Sequence, residues 1–197
     1  MKRVLFIDGS NLYAGQYELF GPAYFLNGDK FILETEKSLG IKLDRIYVYA
    51  SFSPIPKRPT KKQKQHLKNE GLFFKSLRSN KKVIFFKGYR SPTSGKEKEV
   101  DVKLAVDIVD MTYRNMFDEL FLLSGDADFM HALNIARNHN KPITVLALHN
   151  RIPFRFVHHF NTIIFGKDKN IKRHSLMKRS KKLKCIDLDY NSLLSKC

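Results

Sequence analysis

The sequence predicts an α/β fold in which helices cover both faces of a mainly parallel sheet of five or six strands. Short β-branched or aromatic runs alternate along the chain with stretches of helical spacing, a pattern typical of strand–helix–strand units. Each run is apolar and ends at polar or turn residues, which indicates strands buried on both faces. A parallel sheet follows from these two observations together.

The elements can be assigned in chain order from the same patterns. Strands are predicted at 4–7, 45–50, 83–86, 120–124 and 143–148, and residues 163–165 and 185–188 are candidates for one more strand each. Helices are predicted at 11–20, 61–77, 100–111 and 128–139, and the last one stops before Pro142 because proline cannot continue a helix. The composition of residues 91–95 predicts a loop.

The composition indicates a soluble protein with a polyanionic partner. The chain of 197 residues is long enough for one domain with a buried core, and its net charge of +17 favours nucleic acid over an anionic membrane as the partner. Its apolar runs are too short to span a membrane, and Asp8 interrupts the N-terminal run before it could act as a signal peptide. Because Cys185 and Cys197 are its two cysteines, we expect no disulfide framework or Cys-rich zinc site, and a cytoplasmic location.

Basic residues concentrate in two runs, at 57–68 and 167–184, and toward the C-terminus. Residues 151–197 carry 12 Lys and Arg against 3 Asp and Glu, so we expect a main domain at 1–150 and a basic extension at 151–197 packed at least partly on it. Such runs are often only solvated faces, but two of them without a matching acidic block favour a nucleic-acid surface. The candidate phosphate-binding residues in these runs are Lys57, Arg58, Lys61, Lys62, Lys64, Lys178, Arg179, Lys181 and Lys182. Lys98 and Lys103 are further candidates, beside the acids described next.

Several acids lie at the ends of predicted elements. Asp8 follows the first strand, Asp126 and Asp128 follow the fourth, and Asp101 opens the helix before it. In the strand order 3-2-1-4-5, the first and fourth strands are neighbours where the order reverses, so Asp8 and Asp126 would converge there. Clustered carboxylates repel each other unless a cation neutralises them, and oxygen ligands favour Mg²⁺ or Mn²⁺. These acids therefore predict a metal site.

Each acid also has an ordinary explanation. Asp126 or Asp128 could cap the following helix, and Asp101 could compensate a helix dipole. Asp8 could belong to a simple strand-to-helix turn in which Asn11 is the cap. The coincidence of three acid-bearing ends at neighbouring positions favours the metal site over these separate roles.

The order and spacing of three segments are distinctive: residues 4–12 (VLFIDGSNL), 98–107 (KEVDVKLAVD) and 124–129 (SGDADF). Together they resemble the NYN domain family, a branch of the PIN-like ribonuclease fold, over roughly residues 2–148. The resemblance implies a three-layer α/β/α domain with a Mg²⁺- or Mn²⁺-dependent endoribonuclease site.

The resemblance also assigns roles to individual positions. The acidic cluster of the family is matched by Asp8, Asp101, Asp126 and Asp128. Of these, Asp8, Asp101 and Asp126 would bind metal, while Asn11 resembles the residue that orients Asp8 or a water, and Ser124 a supporting hydroxyl. One departure is Glu99, because many relatives have Gly at this position before the Val-Asp pair.

The sequence therefore predicts a metal-dependent endoribonuclease that hydrolyses single-stranded or structured RNA without a covalent enzyme intermediate. The alternative is a non-catalytic RNA-binding module that retains the acidic pocket. Phosphatase chemistry with Asp8 as nucleophile is disfavoured, since Ser10 stands where a second acid would be needed. Tyr13 and Tyr89 either stack unpaired bases or pack in the core, and Phe129 is better explained as a core residue. A homo-oligomer is left open.

Overall fold

Strands and helices alternate along most of the chain in the computed structural model, which describes residues 1–90, 97–166, 180 and 182–197. The strands are β1 (Arg3–Asp8), β2 (Tyr24–Leu26), β3 (Arg45–Ala50), β4 (Val83–Lys87), β5 (Tyr89–Arg90), β6 (Glu97–Lys98), β7 (Glu119–Leu123), β8 (Ile143–Leu148), β9 (Asn161–Phe165), β10 (Leu183–Ile186) and β11 (Leu194–Lys196). The helices are α1 (Gly9–Phe20), α2 (Gly28–Leu39), α3 (Lys61–Arg78), α4 (Val100–Tyr113), α5 (Met130–Asn138) and α6 (Tyr190–Leu193), and a 3₁₀ turn (Ala127–Phe129) precedes α5.

Seven strands form one parallel sheet in the order β10-β9-β8-β7-β1-β3-β4. When the seven strands are renumbered 1 to 7 in chain order, their order across the sheet, starting from β4, is 3-2-1-4-5-6-7. The α/β class, the parallel sheet and the order at its centre are thus confirmed. The sheet is wider than the predicted five or six strands because both C-terminal candidates, now β9 and β10, join it.

The predicted strands and helices agree with the structure to within a few residues at their ends, but some elements were not predicted. The missed elements in the described part of the chain are β2, α2, β5, β6, α6 and β11. The loop predicted at 91–95 lies outside the described residues, as does most of the basic run at 167–184. None of the described helices is long and apolar enough to cross a membrane.

The sheet is buried on both faces, because alternate residues of each strand point to opposite sides. Leu5 and Ile7 of β1 belong to a core that also contains residues of α1, α2 and α3. Val4 and Phe6 belong to the opposite core, which includes residues of α4 and α5. Phe6 is fully buried and stacks on Tyr47 of β3 with ring centroids 5.2 Å apart. Helices therefore cover both faces, as predicted.

The described C-terminal residues pack on the rest of the chain through backbone pairing. β9 pairs with β8 and β10 with β9, and β11 forms an antiparallel pair with β2. Leu188 and Leu193 are buried in the same core as Leu5. The sheet thus continues past residue 150, where the sequence predicts the end of the main domain.

All carboxyl ends of the large sheet lie along one edge, because its strands are parallel. β1 ends at Asp8, and its neighbours β3 and β7 end at Ala50 and Leu123. This edge, between β1 and β7, is where the strand order reverses, the usual location of sites in open α/β sheets. We call it the carboxyl edge below.

Candidate active site

Asp8 is the buried acid at the centre of the carboxyl edge, with 3% of its surface exposed. Its Oδ1 accepts the backbone N–H of Asn11 at 3.0 Å and so caps α1. Its Oδ2 accepts the hydroxyl of Ser124 at 2.8 Å. The sheet register explains this second contact, since Ile7 pairs with Leu123 and the next residues, Asp8 and Ser124, then lie side by side. The cap of α1 is therefore Asp8, and the ordinary explanation that made Asn11 the cap is wrong.

The loop after β7 is tied to β1 and α1 by polar contacts. Ser124 Oγ accepts the backbone N–H of Asp126 at 3.0 Å, so one hydroxyl links Asp8 to Asp126. The side-chain oxygen of Asn11 accepts the backbone N–H of Gly125 at 3.2 Å. A Cβ at Gly125 would lie 2.5 Å from the carbonyl oxygen of Arg151, which explains glycine there. These contacts fix the position from which the half-buried Asp126 side chain extends.

Two predicted site acids are more exposed. Asp128 is exposed, and its backbone N–H donates to Asp126 Oδ1 at 3.0 Å, so Asp126 caps the 3₁₀ turn as its ordinary explanation proposed. Asp101 lies exposed in the first turn of α4. The residue before α4 is Glu99, whose φ of 72° is left-handed. This conformation favours glycine, the residue that the resemblance leads us to expect at this position.

The carboxyl edge offers carboxylate oxygens, the donor type that Mg²⁺ and Mn²⁺ prefer. Within the described ranges, no three Asp, Glu, His or Cys side chains are grouped so that they could hold a metal ion by themselves. Mg²⁺ is commonly bound by one or two carboxylates, with water and substrate phosphate completing its shell. The Asp8 carboxylate and the backbone N–H of Asp126 both bond to Ser124 Oγ, so these two acids are neighbours along the edge and fit a site of that kind.

A comparison with known protein families identifies the family of this chain. The model of the NYN domain matches residues 2–165. The chain belongs to the NYN domain family. This family is part of the PIN-like nucleases, whose NYN members are typically metal-dependent ribonucleases. The match extends further along the chain than the resemblance at 2–148 that the sequence motifs indicate.

The fold of this NYN domain also resembles a solved structure. A protein of unknown function from Vibrio parahaemolyticus RIMD 2210633 aligns with 85% of this chain and 93% of its own, with a TM-score of 0.54 and 16% identity. At that identity the likeness concerns the fold alone. No curated protein shows significant similarity to the chain.

The basic run before and within α3 is exposed in this NYN domain. The residues concerned are Lys57, Arg58, Lys61, Lys62 and Lys64. The first turn of α3 contains no acid, although acids are the residues that a helix N-terminus favours. Instead, Thr60 and Gln63 form a capping box that stabilises this end. The N-terminus of α3 thus carries a dense positive charge at the end where the helix dipole is also positive.

The other candidate lysines differ in their surroundings. Lys103 forms an ion pair with Asp107, whose second oxygen accepts the Tyr49 hydroxyl at 2.7 Å. Burial raises the pKa of the Tyr49 phenol, and the hydrogen bond to Asp107 raises it further. Lys182 is exposed and donates to the backbone carbonyl of His159 at 3.2 Å. The remaining candidates have side chains outside the described part of the chain: Lys98, Lys178, Arg179 and Lys181.

The aromatic candidates for base stacking separate by exposure. Tyr13 and Phe129 are 6% and 1% exposed, so both rings are core residues. This confirms the interpretation of Phe129 and decides that of Tyr13 in favour of packing. Tyr89 is 53% exposed and stays available to a ligand.

One polar cluster beside the carboxyl edge was not predicted. Ser53 donates its hydroxyl to Glu70 Oε1 at 2.8 Å and its backbone N–H to Glu70 Oε2 at 2.9 Å. The ring of His66 lies between Ser53 and Tyr13, with Nε2 3.3 Å from Ser53 Oγ and Nδ1 3.4 Å from the Tyr13 hydroxyl. His66 also meets the ring of Tyr17 edge-on at 5.0 Å. In the sequence, His66 is simply one residue of the basic run, and nothing there signals these contacts.

Proposed function

We propose that this NYN domain is a cytoplasmic, metal-dependent endoribonuclease that hydrolyses RNA phosphodiester bonds at the carboxyl edge. The observation that carries the proposal is the Asp8–Ser124–Asp126 linkage, in which the Ser124 hydroxyl joins the Asp8 carboxylate to the backbone N–H of Asp126 at the reversal of the strand order. Membership of the NYN family supports the same chemistry. The net charge of +17 supports a polyanionic substrate.

Asp8 and Asp126 would hold the divalent ion, Mg²⁺ or Mn²⁺. Asp101, on the first turn of α4, would be a further ligand of the ion, and Asp128, beside Asp126, would assist; both lie on the more exposed side. A bound ion of this kind supplies charge stabilisation at the phosphate and lowers the pKa of water. The residues of the chain supply orientation: Ser124 and the Asn11 backbone hold both oxygens of Asp8.

The loop that carries Asp126 is held by different atoms of the same residues. The Asn11 side chain accepts from Gly125, and Ser124 accepts from the Asp126 backbone. Asn11 and Ser124 therefore each bond both to Asp8 and to a backbone N–H group of the loop that carries Asp126. We infer that these two residues keep the acids at a fixed separation while RNA binds and leaves.

The exposed lysines of the 57–68 run would bind the RNA backbone. Phosphate contacts of this type contribute affinity without sequence choice, and they weaken steeply as salt concentration rises. Lys98, Lys178, Arg179, Lys181 and Lys182 remain candidates for the same role.

The first experiment is a nuclease assay with the full chain on an unstructured RNA and on a hairpin. We expect cleavage with Mn²⁺ and none with EDTA, and we expect Asp8→Asn to abolish cleavage while RNA binding is kept or tightened. Asp110→Asn is the matched control, because Asp110 is an exposed acid near the C-terminal end of α4, where it pairs with Arg114. Cleavage that persists in EDTA, or in Asp8→Asn at the rate of the parent, would contradict the proposal.

The second candidate function is a non-catalytic RNA-binding module. It is favoured by one observation, the lack of a ready three-ligand metal group among the described residues. Calorimetric titration with Mn²⁺ in the presence of uncleavable RNA separates the two. If the protein is a nuclease, the parent chain binds Mn²⁺ in this titration and Asp126→Asn does not. If it is a simple binding module, the parent and Asp126→Asn give the same titration.

A further inference from the structure

An open pocket of about 740 Å³ lies where β4 and β5 meet the first turns of α4. Its lining combines apolar side chains with one acid and one base: Phe86, Tyr89, Glu99, Val102, Lys103 and Val106. We call it the α4 pocket. Its apolar side chains are well exposed, since Tyr89 is 53% and Val102 68% accessible. Apolar side chains exposed together in this way are typical of a binding surface.

The α4 pocket is continuous with the carboxyl edge through residues that pair across the sheet. Asp8 pairs in register with Tyr49 of β3, and Tyr49 pairs with Phe86 of β4. All three lie on the face that α4 covers, because Tyr49 and Phe86 pack in the core of Phe6, and Asp8 follows Phe6 by two residues. Neighbouring strands are about 4.8 Å apart, so the backbone of Phe86 lies about 10 Å from that of Asp8. A strand of RNA with a phosphate at Asp8 therefore has a nearby base within reach of the pocket.

The basic group of the pocket is held in place over its aromatic floor. The Tyr49 hydroxyl donates to Asp107 Oδ2 at 2.7 Å, and Asp107 forms an ion pair with Lys103. The Lys103 ammonium lies 5.9 Å from the centroid of the Phe86 ring. This chain of contacts fixes a hydrogen-bond donor above the floor before any ligand binds, which lowers the ordering cost of binding.

The acidic group of the pocket is Glu99, the residue with the left-handed φ of 72°. Within the described part of the chain, its carboxylate does not cap α4, although it directly precedes that helix. The side chain lines the pocket instead. Strained backbone positions accumulate at functional sites, so an acid at a position that favours glycine indicates a contact with a ligand.

The chemistry of the lining matches one unpaired nucleobase. A planar base stacks on aromatic rings, which Phe86 and Tyr89 provide. A base is uncharged, so it needs no surplus of positive charge in the pocket, whereas its edge carries both acceptors and donors. The Lys103 ammonium donates and the Glu99 carboxylate accepts, so the pocket offers a partner to each kind of group. An apolar side chain of a protein would match the floor but neither of these two groups.

We propose that the α4 pocket binds one unpaired base of the RNA near the bond that is cut, and that Glu99 selects a base with an exocyclic amino group. Its carboxylate accepts a hydrogen bond from that amino group. The single ring N–H of uracil lies between two carbonyl oxygens, which repel a carboxylate. The inference rests on the proposed function, since it assumes that the strand crosses Asp8. It deepens that function by specifying single-stranded RNA and a preference for cytosine over uracil at one position.

The first test measures the binding of single-stranded oligocytidine to the full chain carrying Asp8→Asn. On this background, Tyr89→Ala should weaken binding about tenfold, whereas Tyr89→Phe, which keeps the ring, should bind like the background. The matched control is Tyr24→Ala, which should also bind like the background. Tyr24 is likewise an exposed strand tyrosine, but its strand pairs with β11.

The second test compares oligouridine with the same strand carrying one central cytidine. The Asp8→Asn chain should bind the cytidine strand about fivefold more tightly, because one hydrogen bond to a charged acceptor is gained. Glu99→Gly should remove this preference. Glycine relieves the strain at this position, so a loss of folding does not account for that result. Glu34→Gln, which changes the net charge equally at an ion pair of α2, is the control and should keep the preference.

The outcomes for the pocket and for the nuclease can be told apart. If the unmodified chain cleaves RNA but Tyr89→Ala binds like Tyr89→Phe, the pocket is overturned and the nuclease stands. If the unmodified chain does not cleave but binding depends on Tyr89 and Glu99 as described, the pocket stands and the nuclease is overturned. Equal affinity for the cytidine and uridine strands, or for a duplex and a single strand, overturns the pocket. A dimer that Tyr89→Ala makes monomeric, with RNA affinity unchanged, also overturns it, because this face then joins two copies of the chain.

Discussion

The hydroxyl of Ser124 donates to Oδ2 of Asp8 at 2.8 Å, across the boundary between β1 and β7. Both residues are nearly inaccessible, at 1% and 3% exposure. A buried carboxylate depends on such donors, because an unsatisfied oxygen retains the cost of its lost hydration. The contact therefore couples the stability of the fold to the position of the central acid.

Ser124→Ala should lower both stability and activity. Removing a hydrogen bond to a buried charged group costs about 1.5–3 kcal/mol, and the 124–126 loop also loses the acceptor for the Asp126 backbone. Urea unfolding measures the first effect, and Mn²⁺-dependent RNA cleavage per folded molecule measures the second. Ser38→Ala, at a helical serine 3.5 Å from Glu34, is the control and should leave both near the parent values. An unchanged midpoint in Ser124→Ala would contradict this role.

Glu99→Gly should stabilise the protein. The left-handed backbone at Glu99, with φ of 72°, costs a side-chain-bearing residue about 1 kcal/mol that glycine does not incur. Thermal unfolding should therefore show a higher midpoint for Glu99→Gly. Glu99→Ala separates the causes, since it removes the charge but keeps the strain. If the alanine variant gains as much stability as the glycine variant, charge and not backbone strain is responsible.

Replacing Lys61, Lys62 and Lys64 with alanine should weaken RNA binding and flatten its salt dependence. Each lost phosphate contact on a single strand reduces the slope of log affinity against log salt by about 0.7. Filter binding or fluorescence anisotropy over a range of salt concentrations measures this slope. A control triple variant at the exposed Lys30, Lys37 and Lys42, near α2, changes the net charge equally. If both triple variants lose the same RNA affinity, the effect comes from net charge in general and not from a defined binding surface.

Asp118→Asn should reduce the sensitivity of the fold to acid. The backbone N–H of Lys2, 2.5 Å from Asp118 Oδ2, holds the pKa of that carboxyl below its usual value. A lowered folded pKa stabilises the protein above the unfolded pKa, and this stabilisation is lost as pH falls through the folded value. Asparagine keeps the acceptor but does not titrate. The difference between urea midpoints at about pH 6 and about pH 3 should therefore be smaller in Asp118→Asn than in the parent, and an equal difference would refute the linkage.

The strands of the central sheet were predictable because each is a short apolar run with polar ends. The placement of Asp8 beside β7 was also predictable, since it depends only on strand order and on strands ending at the same edge. The position of Asp101 was not, because it depends on how α4 packs on the sheet. That packing is set by contacts of residues such as Leu104 and Ile108 with distant strands.

Helix α2 was missed because its buried face is partly polar. Phe31 and Ile32 are buried together with Thr35 and Glu36, while the apolar Leu33 is exposed, so the apolar spacing of a helix is broken. Glu36 is buried because it accepts the backbone N–H of Leu43 at 2.6 Å and the ammonium of Lys82 at 2.7 Å. Leu43 and Lys82 lie outside α2, so the sequence pattern within the helix does not reveal them.

The cluster around His66 was missed for a related reason. Tyr13 and His66 are separated by 53 residues, and they meet because α1 and α3 pack together on one face of the sheet. Ser53 lies in the segment between β3 and α3, which carries no recognisable signal of its own. Residues that follow adjacent parallel strands can be paired from sequence, whereas pairs across two helices require the tertiary structure.

The most direct test of the nuclease is the single-turnover rate of RNA cleavage by Asp126→Asn in Mn²⁺, beside Asp110→Asn as the control. Asp126 is held next to Asp8 because its backbone N–H bonds to Ser124 Oγ, whereas Asp110 pairs with Arg114 on the exposed side of α4. We expect Asp110→Asn to cleave at the rate of the parent, and Asp126→Asn to show no Mn²⁺-dependent cleavage while it still binds RNA. Cleavage by Asp126→Asn at the parental rate would contradict the assignment of the carboxyl edge as the active site.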